Sequence, residues 1–586
     1  MPIVNAVSWR IGGQQGEGID STGDIFSKAC ARLGLHLYTF RNFSSRIRGG
    51  LTYTDVRVSE RPISARPDTI DIVVALGQEV VDASLADMTD GGILIYDSDA
   101  FTPALPESFG KTIHTLGVPL TKTAESAGNK IMKNMVALGA SAQILKMDVQ
   151  VFYDFVEERF GKKGQKIVDM NKAVIKAGAE HVAANFPREH SWILERRPLP
   201  ATGRRLVING SSATAFGALV GGCRFMAAYP ITPATDVMEW IIDHVDEYGG
   251  FVLQAEDEIA AIHACIGAGY TGVRAMTSTS GPGLSLMTEA VGLAGSAEIP
   301  VVIVDVMRPG PSTGLPTKHS QSDLLFAIHG GHDEFPRIVV SPSTTEEAFT
   351  LIQEAFNAAE QYQCPVFFLL DQDLSIAQQA LDAIPLGAVK INRGKLVKPE
   401  DVANLAEGAY HRYQFTDDGV SPRAIPGTPN ALFNSTGSEH QEGGFVTENR
   451  ANRTKMMLKR ARKLETYMKN QKNGHHALGD ASARIGVITW GSTRGPVEEA
   501  LGRLGKDGVK TKTLVLTQLW PFPKKVVADF LASVDTAFVV EANFSGQLAT
   551  LIQQEIGGHD KIRRVNKWDG TPFRPVEIVD KLNEVI

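Results

Sequence analysis

Cysteine is scarce in this chain, and its few residues are widely separated. The 586 residues include four cysteines, Cys30, Cys223, Cys265 and Cys364, and no two of them form a CxxC pair. A cubane iron–sulfur cluster needs about four thiolates brought together, usually from closely spaced motifs. A disulfide framework is typical of short secreted chains. We therefore expect four buried thiols, and any metal cluster that serves this protein must be carried by another chain.

Long apolar runs and an excess of positive charge are also missing. No run reaches the ~20 apolar residues that a membrane helix needs. The first residues, MPIVNAVSWR, lack the charged start, apolar stretch and cleavage site of a secretory signal. The net charge is −7, which gives no reason to expect nucleic-acid binding. We expect a cytoplasmic protein that binds neither a membrane nor nucleic acid.

Short apolar runs rich in β-branched residues alternate with helical stretches along nearly the whole chain. Examples are DIVVAL at 71–76, PVVIVDV at 300–306 and RIGVITWG at 484–491. Such runs are typical of strands buried on both faces of a parallel sheet. Helices between them indicate repeated βαβ units. The sequence therefore predicts a multidomain α/β protein with several doubly wound, mostly parallel sheets.

Two changes in composition predict domain boundaries. A polar, proline-bearing stretch around 188–205 precedes a fresh strand. After about Leu386 the chain becomes poor in strands and rich in glycine, proline, asparagine and charge. We predict a first α/β domain at 1–190, a linker at 191–204, a second domain at 205–386, an irregular connecting segment at 387–483 and a last α/β domain at 484–586.

A basic stretch, RANRTKMMLKRARKLETYMKNQK, lies in the connecting segment. Its charges and apolar spacing predict a solvated helix rather than a nucleic-acid contact. The predicted apolar stripe consists of Met456, Met457, Leu458, Leu464 and Met468.

A glycine-rich turn follows the first predicted strand, residues 3–11. The turn reads GGQQGEG from Gly12 to Gly18, and a helical pattern comes after it. A strand, a glycine loop and a helix together aim backbone N–H groups at a phosphate or another anion. The spacing is neither GxGxxG nor a P-loop, so a tight turn without a ligand is an equal alternative.

Downstream, Arg46 and Arg48 are candidates to bind phosphates, or are surface arginines.

Two prolines frame the motif YPITP at 229–233. They restrict the backbone around Ile231 and Thr232, which would pre-organise the Thr232 hydroxyl. The alternative is a strand-to-helix turn in which Thr232 caps the helix.

An acidic strand end precedes a helix of small residues. Glu256, Asp257 and Glu258 lead into IAAIHACIGAGY, and the next strand, VRAMTST, runs into SGPG at 280–283. Acids that cap a helix N-terminus would explain the acidic residues without any ligand.

An arginine and three hydroxyl residues follow the strand VVIVDVM, where an open α/β sheet places its ligands. They belong to the loop RPGPSTGLPT at 308–317. A guanidinium fork for a carboxylate, with hydroxyls for other oxygens, suits a dicarboxylic 2-oxoacid. The candidate binding residues are Arg308, Ser312, Thr313 and Thr317.

The acid before a small-residue helix, followed by a strand that ends in SGPG, resembles the pyrimidine-binding domain of thiamine diphosphate enzymes. The resemblance covers 205–386. It implies that Glu258, with Glu256 as the alternative, contacts N1′ of the aminopyrimidine and tunes its protonation.

The motifs YPITP and RPGPSTGLPT together resemble the alpha subunit of 2-oxoacid:ferredoxin oxidoreductases. This implies that Thr232, Arg308 and Thr317 belong to the substrate site, and that Glu258, Thr232 and Arg308 are the catalytic residues. The family's usual Gln-Arg-Gly-Gly-Pro opening reads Met-Arg-Pro-Gly-Pro here, from Met307.

The two ends of the chain extend the resemblance. The glycine-rich start and the Arg-Gly-Gly segment are similar to the gamma domain of the same family, which implies that 1–190 is gamma-like and contacts coenzyme A. LTQLWPFP, VVEANFSGQL and WDGTPFRP are similar to the 2-oxoglutarate-type branch, and 484–586 resembles a transketolase C-terminal domain. The coenzyme A residues implied are Gly12, Gly13, Arg46 and Arg48.

The diphosphate-binding motif of thiamine enzymes, GDG-x-N, is missing. Trp568-Asp569-Gly570 lacks the first glycine and the downstream asparagine. The resemblance therefore implies a beta subunit that brings the diphosphate end of the cofactor site, Mg²⁺ and a [4Fe–4S] cluster. It also implies a dimer of alpha–beta pairs that uses ferredoxin.

The implied reaction is the oxidation of 2-oxoglutarate with coenzyme A to succinyl-CoA and CO₂, or its reverse for CO₂ fixation. Three alternatives remain open. The enzyme acts on pyruvate or another 2-oxoacid, or it is a thiamine enzyme without redox chemistry, or the chain is a non-catalytic subunit that binds coenzyme A or a nucleotide.

Overall fold

The computed structural model describes residues 2–45, 49–106, 110–186, 191–471 and 474–585. The chain divides into two compact units. The first unit comprises Met1–Asn209, Ile376–Ile384 and Arg574–Glu577, and the second comprises Gly210–Ser375, Pro385–Phe573 and Ile578–Ile586.

The first 209 residues form the bulk of the first unit. Its strands are β1 (Ile3–Val4), β2 (Ala6–Gln14), β3 (His36–Asn42), β4 (Leu51–Ser59), β5 (Ile70–Ala75), β6 (Met88–Asp97), β7 (Ile113–Val118), β8 (Trp192–Ile193) and β9 (Leu206–Ile208). Its helices are α1 (Ile19–Arg32), α2 (Gln78–Ser84), α3 (Leu120–Ser126), α4 (Lys133–Ile144), α5 (Gln150–Phe160) and α6 (Gln165–Asn185).

The main sheet of the first unit is mixed. Its order is β7-β6-β5-β2-β4-β3, followed by the strand Gln379–Leu381 and then β9. Strands β7, β6, β5 and β2 are parallel, whereas β4 is antiparallel to β2 and to β3. A buried ion pair crosses from β2 to β4, where Arg10 Nε lies 2.6 Å from Asp55 Oδ1. The apolar positions of α1 face this sheet, and Phe26 stacks on Trp9 with ring centroids 4.3 Å apart.

The rest of the chain continues the α/β alternation. Its strands are β10 (Phe225–Ala228), β11 (Phe251–Gln254), β12 (Ala275–Thr279), β13 (Val301–Met307), β14 (Ile338–Val340), β15 (Pro365–Asp371), β16 (Gln379–Leu381, in the first unit's sheet), β17 (His475–Gly479), β18 (Ile485–Thr489), β19 (Thr511–Leu516), β20 (Gln518–Trp520), β21 (Thr536–Glu541) and β22 (Ile562–Asn566).

The helices of this part lie between those strands. They are α7 (Gly210–Val220), α8 (Thr235–Ile242), α9 (Glu258–Tyr270), α10 (Gly281–Ser296), α11 (Leu324–His329), α12 (Thr345–Tyr362), α13 (Gln372–Ile376), α14 (Arg450–Asn470), α15 (Arg494–Lys506), α16 (Lys524–Ala532), α17 (Gln547–Glu555) and α18 (Pro575–Asn583).

Two sheets lie in the second unit. One has the order β11-β10-β12-β13-β15-β14-β20, with only β20 antiparallel to its neighbour. The other has the order β17-β19-β18-β21-β22, with only β17 antiparallel. Every residue of β13 and β15 is buried, as expected for parallel strands covered on both faces. The predicted α/β class with several mostly parallel sheets is confirmed.

The described part of the chain meets neither the requirements of a membrane-spanning helix nor those of a clustered metal site. None of its helices combines the length and the apolar character that crossing a bilayer demands. Within the same residues, His, Cys, Asp and Glu side chains do not assemble in threes or more at a place that could hold a metal ion.

The basic helix of the connecting segment forms as α14, but the predicted solvated helix with an apolar stripe is confirmed only in part. Met457, Leu464 and Met468 are half-buried. Met456 is buried, whereas Leu458 is 58% exposed. The side chains buried instead include Lys459 and Lys463, whose Nζ atoms lie 2.5 and 2.6 Å from the Glu298 carboxylate. Periodicity assigns lysines to the outer face of a helix, because it contains no information about a carboxylate that is distant in the chain.

The three charges of this cluster depend on one another. Burial by itself would raise the pKa of Glu298, but Lys459 and Lys463 outweigh that effect and hold its pKa well below the usual range. Burial lowers the pKa of Lys459 to about 8, despite the attraction of Glu298. Removing one partner would leave a buried charge without compensation, which is the costly case for buried ion pairs.

We expect Glu298→Gln to lower the free energy of unfolding by ~3–5 kcal/mol, because two buried ammonium groups lose their counter-charge. The measurement is urea denaturation followed by tryptophan fluorescence. The control is Asp529→Asn, which breaks the exposed Lys525–Asp529 pair, and it should cost less than about 1 kcal/mol. Equal losses in the two variants would show that the buried cluster does not stabilise the fold.

Candidate active site

All four cysteines are buried and unpaired by disulfides, which confirms the prediction made for them. Burial raises the pKa of Cys223 and Cys364 to about 12, and it raises the pKa of the other two thiols as well. Thiolates are the reactive and metal-binding form. These cysteines therefore contribute packing rather than chemistry.

The predicted site residues of the second unit follow neighbouring parallel strands. Thr232 comes after β10, Glu258 after β11 and Arg308 after β13, and the SGPG motif begins directly after β12. Strands β11, β10, β12 and β13 are adjacent and parallel, so their carboxyl ends meet at one edge of the sheet. Arg308 Nη1 donates a 2.6 Å hydrogen bond to the Thr232 carbonyl oxygen, which joins the two motifs directly.

The YPITP segment is a turn into α8. Ala234 and Thr235 both donate backbone hydrogen bonds to the Ile231 carbonyl, and the Thr232–Pro233 peptide is cis. The N-cap of α8 is Ala234, so the interpretation of Thr232 as a helix cap is wrong. The Thr232 side chain is exposed and its carbonyl oxygen is held by Arg308. The hydroxyl is therefore available to a ligand at this edge.

The three acids before α9 occupy different environments. Asp257 is the N-cap, and its Oδ1 accepts a 2.7 Å hydrogen bond from the Ala260 amide. Glu258 is only 5% exposed, whereas Glu256 is exposed. Capping is thus performed by Asp257, and the burial of Glu258 favours it over Glu256 as the residue that contacts a cofactor.

The Glu258 carboxylate lies against the first turn of α10. A Cβ atom at Gly283 would stand 2.5 Å from Glu258 Oε1 and would also collide with the Thr279 hydroxyl. No described residue hydrogen-bonds the carboxylate, although it lies at the positive end of a 16-residue helix. Gly283, the second glycine of SGPG, therefore makes room for the buried Glu258 carboxylate, which has no hydrogen-bond donor among the described residues.

A pair of acids at the same edge was missed by the sequence analysis. Asp305 lies in β13 and is fully buried, and Asp323 directly precedes α11. A Cβ atom at Gly281, the first glycine of SGPG, would lie 3.1 Å from Asp323 Oδ2. The signal that could have found the pair is the aspartate in the otherwise apolar run VVIVDVM, since a buried carboxyl group requires a partner.

The RPGPSTGLPT loop separates the three hydroxyls that the sequence grouped together. Its tip is tight, because the Leu315 amide bonds the Pro309 carbonyl at 3.0 Å and a Cβ at Gly314, where φ is 54°, would collide with that carbonyl. Ser312 and Thr313 are exposed at the tip, whereas Thr317 is buried. Arg308 at the base of the loop is 7% exposed.

The first unit contains a separate cavity beside the glycine-rich turn. β2 runs to Gln14, so Gly12 and Gly13 belong to the sheet, and the expected strand end at residue 11 is wrong. The turn proper contributes Gly16 and Gly18 to a cavity of about 700 Å³. Arg46 and Arg48, the other predicted contacts of this region, lie outside the described residues.

Four basic side chains line this cavity. Lys133 is paired with Glu17 at 2.6 Å, and Asn134, which donates to the Glu17 carbonyl, has a buried Oδ1 without a hydrogen-bond partner. The N-terminus of α1 starts at the same turn, so backbone N–H groups add positive potential. The basic residues are Lys130, Lys133, Arg159 and Lys163.

Comparison with known proteins shows the family to which the chain belongs. Residues 216–460 match the family model "Pyruvate flavodoxin/ferredoxin oxidoreductase, thiamine diP-bdg". Residues 8–181 match "Pyruvate ferredoxin/flavodoxin oxidoreductase", and residues 483–578 match "Pyruvate:ferredoxin oxidoreductase core domain II". The 2-oxoacid:ferredoxin oxidoreductase subunit alpha of Sulfolobus sp is 34% identical, over 99% of this chain and 97% of its own length.

The chain belongs to the alpha subunits of 2-oxoacid:ferredoxin oxidoreductases. A 2-oxoglutarate:ferredoxin oxidoreductase structure from Magnetococcus marinus, with 2-oxoglutarate, coenzyme A and succinyl-CoA bound, is 36% identical with a TM-score of 0.91, and the match covers 99% of both chains. The 2-oxoglutarate synthase subunit KorA of Methanothermobacter thermautotrophicus is 35% identical over 64% of this chain and 97% of its own length.

These matches confirm the family that the sequence motifs predicted, and with it an oxidoreductase activity. The family model that names thiamine diphosphate binding contains Thr232, Glu258 and Arg308. The predicted thiamine diphosphate domain is therefore confirmed as a domain, while the role of each residue is a separate question.

We expect Gly283→Ala to reduce 2-oxoacid-dependent reduction of a viologen dye by about 10²-fold, because the new methyl group must displace the Glu258 carboxylate. The control is Gly292→Ala on the same helix, where the nearest atom to the new methyl group lies 3.7 Å away. That variant should keep its activity. If both variants retain wild-type turnover, the position of Glu258 does not matter for the reaction.

Proposed function

We propose that this chain is the alpha subunit of a 2-oxoglutarate:ferredoxin oxidoreductase. The complex converts 2-oxoglutarate, coenzyme A and oxidised ferredoxin into succinyl-CoA, CO₂ and reduced ferredoxin. The observation that carries the proposal is Arg308, a guanidinium held at the carboxyl edge of the sheet by the Thr232 carbonyl while its buried Nε has no hydrogen-bond partner. Such a group offers donors to a carboxylate.

Glu258 would hold the aminopyrimidine of thiamine diphosphate. Its carboxylate is buried, lacks a partner among the described residues and has its space secured by Gly283. A carboxylate in this state is a strong acceptor for a ring nitrogen and tunes the protonation of that ring. When bound, the cofactor supplies a nucleophilic carbon and an electron sink for decarboxylation.

Arg308 and Thr232 would bind the 2-oxoacid. The Thr232 hydroxyl is exposed beside the guanidinium, and Thr317 is buried at the other end of the loop. The choice of 2-oxoglutarate is supported by the relatives whose names contain that substrate and by the polar loop that follows Arg308. Pyruvate is the second candidate, because one arginine serves the carboxylate that is common to both.

The first unit would bind coenzyme A. Its cavity of about 700 Å³ is large enough for part of a drug-sized ligand. The basic residues around it and the N-terminus of α1 suit phosphate groups. Coenzyme A is also present in the Magnetococcus marinus structure.

A beta subunit would complete the enzyme. It would bring the diphosphate-binding motif, Mg²⁺ and a [4Fe–4S] cluster, and it would pass electrons to ferredoxin in a dimer of alpha–beta pairs. The helices on either side of Glu258 support a partner, because Ile259 of α9 and Leu286 of α10 are 47% and 52% exposed. Large exposed apolar side chains in one region are typical of interaction surfaces.

We expect Glu258→Gln to reduce turnover by ~10²–10⁴-fold, because the neutral amide cannot tune the cofactor ring. The measurement is viologen reduction by the anaerobically purified complex with coenzyme A and either 2-oxoglutarate or pyruvate. The matched control is Glu256→Gln, two residues away and exposed, which should retain activity.

The same assay tests the substrate. Reduction with 2-oxoglutarate that depends on coenzyme A supports the proposal, and reduction with pyruvate alone replaces the substrate but not the family. Full turnover by Glu258→Gln would favour the alternative of a non-catalytic subunit that binds coenzyme A.

We expect the double variant Lys130→Glu/Lys163→Glu to raise the KM for coenzyme A at least about tenfold, because two cations of the cavity become anions. The KM for the 2-oxoacid should stay unchanged in the same assay. Lys166→Glu, an exposed charge reversal on α6, is the control and should leave both values as they are. A rise in both KM values, or in neither, would place coenzyme A elsewhere.

A further inference from the structure

Asp305 and Asp323 form an acidic pair that the reaction described above does not use. Asp305 lies in β13, the central strand of its seven-stranded sheet. It is in register with Thr279 of β12 and Leu369 of β15. The two carboxyl groups are within hydrogen-bonding distance of each other. Both oxygens of Asp305 and the Oδ2 of Asp323 are buried and receive no hydrogen bond from an N–H or O–H group of the described residues.

A buried pair of this kind cannot be fully ionised near neutral pH. Two carboxylates in contact repel each other, and neither has a donor to stabilise its charge. A single proton removes one charge and supplies the missing hydrogen bond at once. Burial, reinforced by the neighbouring carboxyl group, raises the pKa of Asp305, and burial raises the pKa of Asp323 to about 6.

Arg308 is the nearest positive charge to the pair. Burial lowers its pKa, and Asp323 opposes that shift. The guanidinium forms no ion pair with either carboxyl group in the described part of the chain, since its Nη1 bonds the Thr232 carbonyl and its Nε is buried without a partner. The pair therefore compensates the charge of Arg308 without bonding it, and Nε remains without a partner among the described residues.

The other elements around the pair contribute little charge of their own. β12 and β15 present Thr279 and Leu369, and α10 presents its N-terminal turn at Gly281. Glu258 lies on the other side of that turn, against Gly283. Arg308 and Glu258 are thus the charged groups that a change in the protonation of the pair would affect.

We propose that Asp305 and Asp323 share one proton and act as positioning residues that set the net charge beside Arg308. With one proton the pair carries −1, which offsets the guanidinium and lets its remaining donors meet a substrate carboxylate. Without the proton the pair carries −2, draws the guanidinium towards itself and repels the substrate. The second part of this proposal rests on the proposed function of Arg308.

The consequence is a KM for the 2-oxoacid that depends on pH. As the pH rises through the second ionisation of the pair, the wild-type KM should rise, by up to about tenfold per pH unit. Asp323→Asn or Asp305→Asn keeps one carboxylate and adds an N–H donor for it, so the net charge stays −1 and the KM should be flat. Asp333→Asn, the same substitution at an exposed carboxylate, should keep the wild-type profile.

A second measurement detects the proton itself. The infrared spectrum of the wild-type complex minus that of Asp323→Asn should show the carbonyl band of a protonated carboxyl group, and this band should disappear as the pH rises. The band together with a flat KM in the Asn variants supports the proposal. Absence of the band would show that Asp305 and Asp323 do not share a proton.

The same pair of measurements separates the remaining outcomes. The band together with a wild-type KM profile in Asp323→Asn overturns the positioning role. If the wild-type complex oxidises no 2-oxoacid, the proposed function of the site fails, while the infrared band still decides whether the proton is shared.

Discussion

The active edge of the second unit depends on how closely acidic groups can approach the first turn of α10. Gly283 admits the Glu258 carboxylate and Gly281 admits the carboxyl group of Asp323, so the two acids approach the same helical turn at positions two residues apart. A side chain at Gly283 would collide with oxygen atoms of Glu258 and Thr279, and one at Gly281 would press against Asp323 Oδ2 at 3.1 Å. The positive end of a 16-residue helix makes this an electrostatically favourable place for them. The proposed roles of Glu258 and of the Asp305–Asp323 pair depend on that arrangement.

Buried polar contacts fix the segments that surround this edge. After the RPGPSTGLPT loop, Gln321 donates to Asp371 at 2.9 Å and to the Trp490 carbonyl at 3.0 Å, and its Oε1 accepts from the Ala542 amide. Asp371 also accepts from the Ser492 amide. These bonds attach the end of the loop to both sheets of the second unit. A loop attached in this way presents Arg308 at low entropic cost, which is what precise substrate binding requires.

Local patterns predicted much of this architecture and part of the site. The strand runs, the class and the family followed from periodicity and from two motifs. The structure places Thr232, Glu258 and Arg308 after the carboxyl ends of parallel strands of one sheet. Short-range signals failed where partners are distant in the chain. The helix that contains Lys459 and Lys463 was predicted to be solvated because nothing near these lysines in the sequence reveals Glu298. Asp305 was missed because its partner Asp323 lies beyond the loop.

By itself the sequence determined the α/β alternation, the identity of the residues at the strand ends and the absence of a diphosphate-binding motif, since each of these is a local property of consecutive residues. The tertiary structure decided which acid caps α9 and which is buried, which hydroxyls of the RPGPSTGLPT loop are exposed to solvent, and that two aspartates meet beside Arg308. Those outcomes depend on distances between segments far apart in the chain. Burial and the nearest charge determine the protonation of a carboxyl group, and both exist only after the strands are packed.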